Sequence, residues 1–147
     1  MIYRHAFVVR AALERVRTFH ARPESLGAIT PPPIRMQLLG APVSLERGGE
    51  IRFTLWLGPL PVRWTARIQN VSADGFEDVQ VSGPFRHWTH SHRFAERSPG
   101  QTEVRDVVKL SLRPHFWWGS LGLGMALGLP LLFAYRARRT RRLLEGG

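Results

Sequence analysis

The sequence predicts an α+β fold in which one strand, two short helices and six further strands precede a long C-terminal helix. Three observations lead there. Alternating apolar and polar residues recur along most of the 147-residue chain, the mark of strands with one buried face. Helical spacing interrupts this pattern once, between the first strand and a proline run. After Pro114 the alternation stops, and residues 116–135 carry no charge at all. A hydrophobic fraction of 44%, with five Trp and eight Phe, supplies enough apolar surface for a core and argues against disorder.

In the first strand Tyr3, His5, Phe7 and Val9 share a face, opposite Arg4, Ala6, Val8 and Arg10. Residues 11–20 then place Ala12, Val16 and Phe19 on one side of a helix. Pro23 opens a second short helical turn, and Thr30-Pro31-Pro32-Pro33 reads as an extended connector. Strand follows strand from there. Ile34, Met36 and Leu38 alternate with polar residues, Gly48-Gly49 turns the chain, and Ile51, Phe53, Leu55 and Leu57 alternate with Arg52, Thr54 and Trp56. Gly58-Pro59-Leu60-Pro61 is a tight connection to Val62, Trp64, Ala66 and Ile68. Asp74-Gly75 signals a hairpin into strands 76–82 and 85–95, and Ser98-Pro99-Gly100 turns the chain into strand 102–112. The length suits one domain over residues 1–147.

Residues 116–135 fit two different molecules. As a membrane span they have the length, the aromatic end and the basic flank. As a soluble element they form part of a helix lying across a sheet, within a helical segment 116–145. Gly119, Gly122, Gly124 and Gly128 weaken a helix in water, and Pro130 suits the first turn of a helix over 131–144. Arg136, Arg138, Arg139, Arg141 and Arg142 follow. A solvated helix end is the usual explanation of such a run; peripheral contact with acidic lipid is the alternative.

Composition excludes several functions. Without Cys there is no disulfide, thiolate nucleophile or iron–sulfur cluster. Lys+Arg 21 against Asp+Glu 11 gives +10, but Lys109 is the only lysine and the arginines fall on many strands. With no recognition motif, nucleic acid is not an expected partner. Residues 1–7 alternate and show no apolar leader, so the cytoplasm is the expected compartment.

The order of elements is that of a helix-grip fold, and the residues resemble the START-like superfamily, in particular the polyketide cyclase/dehydrase-type ligand-binding proteins of bacteria. The matching pieces are Phe7-x-Val9, then Ala12-x-Glu14-x-Val16-x-x-Phe19-His20, and Ile29-Thr30-Pro31-Pro32-Pro33. Gly58-Pro59-Leu60-Pro61-Val62-Arg63-Trp64, Phe76-x-Asp78-x-Gln80-x-x-Gly83-Pro84-Phe85 and Trp88-x-His90-x-His92-x-Phe94 continue it. Thr102-x-Val104-x-Asp106 and Leu132-Phe133-x-Tyr135-Arg136 close it. The resemblance implies a curved antiparallel sheet gripping the last helix around a cavity. That cavity would take a lipid-like or polycyclic molecule, while the chemistry varies among members.

Strand 85–95 is the most informative for function. Trp88, His90, His92 and Phe94 share one face, and its apolar ends make it the inner one. Two buried imidazoles need partners. Asp106 stands among Val104, Val108, Leu110 and Leu112 on the next strand and falls opposite His90 or His92; Asp78 and Gln80 share the inner face of the preceding strand. This cluster reads first as a buried polar network. Metal binding through His-x-His with a carboxylate, and general acid–base catalysis by an Asp–His pair, are the other readings. No metal and no cofactor is expected. Phe53, Leu55, Val62, Trp64, Ala66, Trp88 and Leu110 would form the apolar wall, with His90, His92, Asp78, Gln80 and Asp106 as its polar groups. Trp117 and Trp118 would cap the mouth, the reading the fold favours, or form an interfacial belt, and Trp56 would pack against a terminus or stand as an exposed contact.

Overall fold

A computed structural model describes residues 1–145; Gly146 and Gly147, the end of the expected domain, lie outside the described residues. The elements run β1 (Ile2–Val9), α1 (Leu13–Ala21), α2 (Ser25–Ala28), β2 (Arg35–Gly40), β3 (Gly49–Leu57), β4 (Leu60–Ser72), β5 (Gly75–Ser82), β6 (His87–Ser98), β7 (Gln101–Ser111), α3 (Phe116–Leu127) and α4 (Leu129–Glu145). The strands form one curved antiparallel sheet of order β1-β7-β6-β5-β4-β3-β2. This is the helix-grip arrangement the alternation predicts, with sequence-adjacent hairpins from β2 to β7 and β1 closing against β7.

Turn chemistry sets the registers. Gly58 at φ 62° and Pro59 join β3 to β4 across the pair Leu57↔Leu60. Gly100 at φ 79° sits in the connection closed by Ser98↔Gln101. Gly75 does more than turn. It adopts φ 147°, and a Cβ there would lie 1.8 Å from the His92 carbonyl oxygen. Only glycine lets β5 come this close to β6, in the register that sets Asp78 opposite His90.

The C-terminal segment departs from expectation. The one long helix expected over this segment is two: the glycine-rich stretch is a separate helix, α3, and α4 already begins at Leu129. Pro130 thus occupies the first turn of α4, where its missing N–H costs nothing. Two glycines serve packing. A Cβ on Gly122 would lie 3.1 Å from Leu112 and 3.4 Å from Phe85, and one on Gly119 would lie 2.7 Å from the Arg113 carbonyl oxygen. Among the described residues no single helix is long and apolar enough to cross a membrane; α3 and α4 satisfy that test only together, bent by 47°.

Phe133 carries α4 into the core. It is 2% exposed, with its ring 5.5 Å from Tyr3 and 5.4 Å from His90. Trp56 pairs sideways rather than covering a terminus, its indole N–H donating to Gln37 Oε1 across β2–β3 at 3.0 Å.

Candidate ligand cavity

The sheet and α4 enclose a cavity of about 150 Å³. Of the expected wall, Phe53 and Leu55 on β3, Trp64 and Ala66 on β4 and Trp88 on β6 line it. Trp64 packs edge-on to Trp88 at 5.1 Å and stacks on Phe53 at 5.8 Å, so the wall is a continuous aromatic surface. Val62 and Leu110 are buried in the core but do not reach the cavity. Gln80 does not reach it either. Its amide donates to the Phe85 carbonyl oxygen at 2.8 Å and accepts from the Phe85 N–H at 3.1 Å, clamping the β5–β6 connection. A Cβ on Gly83 would come 2.6 Å from Gln80 Oε1, so glycine there makes room for the clamp.

Asp78, His90, His92 and Asp106 do converge on the cavity. Their pairing is crossed. Register sets Asp78 opposite His90 and Asp106 opposite His92. The hydrogen bonds run along the diagonals instead: His90 Nε2–H donates to Asp106 Oδ1 at 2.8 Å, and His92 Nε2–H donates to Asp78 Oδ2 at 2.7 Å. Each Nδ1 then faces the other carboxylate, both at 3.6 Å. The two rings lie 3.7 Å apart.

Burial alone would raise the Asp106 carboxyl, but the hydrogen bond from His90 and the charges of His90, His92 and His20 outweigh it and bring it to about 2. Asp78 is held below the ordinary carboxylate range in the same way, burial being overcome by His92, His90 and Arg136. Burial and repulsion from His92 depress His90, against the pull of Asp106 and Asp78. At neutral pH two ionised carboxylates therefore accept from two imidazole N–H groups.

Asp78, His90 and His92 each offer a metal-ligating atom within 4.8 Å of the others. The spacing is that of shared protons. Ligands at Zn–N distances of about 2.0–2.1 Å stand about 3.3 Å apart on a tetrahedron, whereas His92 Nε2 and Asp78 Oδ2 are 2.7 Å apart. Coordination would have to break the hydrogen bonds that satisfy the cluster.

Two ionisable residues of the cavity escape the strand patterns. His20 of α1 lines it, donating Nδ1–H to the Val16 carbonyl oxygen at 2.8 Å with its ring 4.8 Å from Phe94. Burial drives its pKa down to about 4, against the pull of the Val16 carbonyl. Arg136 is the larger correction. It is not one of a solvated row; it turns inward, lines the cavity, and lies 5.4 Å above the Phe133 ring. Its Nε is buried with no hydrogen-bond partner among the described residues. Burial lowers its pKa, while Asp106 and Asp78 pull it back up. The signal was present: counting by three and four from Leu129 through Phe133 reaches Arg136 and then Thr140, all on the cavity. Trp117 and Trp118 do not cap the mouth; both stand in solvent.

The chain has the fold of START-like proteins. Similar solved structures include a protein from Chromobacterium violaceum, at TM-score 0.75 and 13% identity over 98% of this chain and 97% of that one. The Zhui aromatase/cyclase from a Streptomyces species is similar at TM-score 0.73 and 15% identity, over 100% of this chain and 98% of that one. A START superfamily protein from Mycobacterium smegmatis matches at TM-score 0.71 and 12% identity, over 99% and 97%. No protein-family model and no curated protein sequence matches the chain.

Proposed function

We propose that this protein, one domain over residues 1–147, binds an apolar small molecule that carries a hydrogen-bond acceptor, without a metal or cofactor, in the cytoplasm. The observation that carries this reading is a cavity walled by aromatic residues in which one buried donor, Arg136 Nε, has no partner among the described residues. A buried unpaired donor costs about 1–3 kcal/mol, which a ligand carbonyl or hydroxyl oxygen would recover. The histidines are less suited to that contact, because both Nε2–H groups are already given to carboxylates. Size narrows the ligand. A volume of about 150 Å³ is that of a cavity that holds a single benzene ring, so one ring or the end of an alkyl chain matches it.

A fluorescent fatty-acid analogue should bind with micromolar affinity, about −8 kcal/mol. Ala66→Trp should fill the cavity and abolish binding while the protein stays folded, as judged by circular dichroism. Unchanged binding in this variant, or none in the parent, would overturn the reading. Metal analysis near one equivalent per chain would overturn its metal-free part. Recovery from cells only by detergent, and not by salt or carbonate, would favour a form tethered through α3 and α4.

A second reading is an acid–base enzyme of the cyclase or dehydratase type, with His90 or His92 as the proton carrier. It is favoured by the 2.8 Å His90–Asp106 pair in an apolar cavity and by the aromatase/cyclase among the similar structures. Turnover of a polyketone substrate that His90→Asn removes, with probe binding retained, would establish it.

A further inference from the structure

Helix α3 is built the wrong way round for water. Its twelve residues contain no charge, and Ser120 is their only polar side chain. The buried positions hold Gly122 and Ala126, while the bulky residues point out: Phe116 is 91% exposed, Trp117 50% and Leu127 71%. Leu131, at the start of α4, extends the stripe at 79% exposure. A surface helix normally does the reverse, and an exposed apolar stripe of this kind marks an interaction site.

Charge selects the partner. From Val107 to Leu144 the chain contains no Asp or Glu. The outward face that carries Leu131 continues along α4 at helical spacing through Ala134 to Arg138 and Arg142, all exposed. Arg113, also exposed, stands just before α3 with its Nε and Nη2 donating to the Gly83 carbonyl oxygen. Aromatic and aliphatic side chains bounded at both ends by arginine, with no acid among them, fit the acyl boundary and phosphate layer of an anionic bilayer. A second copy of this chain would set arginine against arginine across the same face.

We propose that α3 and the start of α4 form a docking surface for anionic phospholipid membranes, with Phe116, Trp117, Leu127 and Leu131 entering the interface and Arg113, Arg138 and Arg142 meeting headgroups. The inner side of the same helices contributes Met125, Leu129 and Leu132 to the cavity. The docked surface is therefore the outer side of the cavity wall.

The test uses the purified chain with vesicles of phosphatidylcholine alone or with phosphatidylglycerol. It should float with the phosphatidylglycerol vesicles and not with phosphatidylcholine alone, and brominated lipid should quench its tryptophan emission. The triple variant Phe116→Ser, Leu127→Ser, Leu131→Ser changes only exposed positions and should lower partitioning at least tenfold while keeping the circular dichroism of the parent. Failure to float with phosphatidylglycerol overturns the proposal. So does equal flotation of the triple variant, which would leave the arginines as the whole attraction. A concentration-dependent dimer that the same variant dissolves would identify a second copy as the occupant instead. Binding of the fatty-acid analogue, sensitive to Ala66→Trp, is read separately, so the cavity and the docking surface stand or fall independently.

Discussion

On β6 the inward residues are Trp88, His90, His92 and Phe94, and both polar ones are paired with carboxylates within 2.8 Å. On α3 the fully buried residues are a glycine and an alanine, Met125 reaches the cavity, and Phe116, Trp117 and Leu127 face out. The strand region spends polar groups inside and satisfies them; the helix leaves apolar groups outside and unpaired. Stability and accessibility have thus been separated in the molecule. Changes on the cavity side should be felt by the whole fold, and changes on the outer side of α3 by almost nothing except its partner.

Phe133→Ala gives the largest contrast, because Phe133 is the one large α4 side chain that is 2% exposed. It should cost ~3–5 kcal/mol in urea unfolding by leaving a cavity between β1, β6 and α4. A loss below about 1 kcal/mol would mean that α4 is not gripped by the sheet.

Asp106→Ala should follow, at ~1–3 kcal/mol, by stranding the His90 N–H in the interior. Asp78→Ala should cost less, since the Asp78 side chain is 21% exposed against 8% for Asp106 and water can replace it. Equal losses at the two positions would show that the crossed pairs are not distinct.

Acid should act through His20 and His90, both held below the ordinary imidazole value, before it reaches the carboxylates. The folded-state value of His20, about 4, lies below the unfolded 6.5, so the unfolded chain binds the proton more readily. Stability is then full above the unfolded value and declines as pH falls from 6.5 toward 4. Asp106 adds a second loss as pH falls from 3.8 toward about 2. His20→Phe keeps the ring contacts and should reduce the first decline in a series of thermal melts, leaving the share of His90. A decline unchanged by this variant would place the responsible proton elsewhere.

The smallest effect belongs to α3. Leu127→Ser should alter unfolding free energy by no more than about 0.5 kcal/mol, since an exposed side chain loses little on replacement. A loss comparable to that of Phe133→Ala would show that the outer face is covered after all.

The seven strands, their turns and the inner face of β6 were legible in the sequence because period-two alternation and glycine-bearing turns are local properties. A residue's neighbours at two positions on either side already tell which face it takes. For the same reason Asp78, His90, His92 and Asp106 could be brought together before any coordinates. Which carboxylate serves which histidine could not, because the diagonal choice depends on sheet twist and on the approach that Gly75 permits. The C-terminal segment was legible only as apolar. Composition gives a helix its hydrophobicity, but which side of it meets the sheet is decided by where glycine allows contact: Gly122 against Leu112 and Phe85 turns α3 outward with its large residues exposed. Arg136 was settled in the same way. One turn of helix separates a charge in solvent from a charge in the cavity, and only the seating of Phe133 against β1 and β6 fixed which of the two it would be.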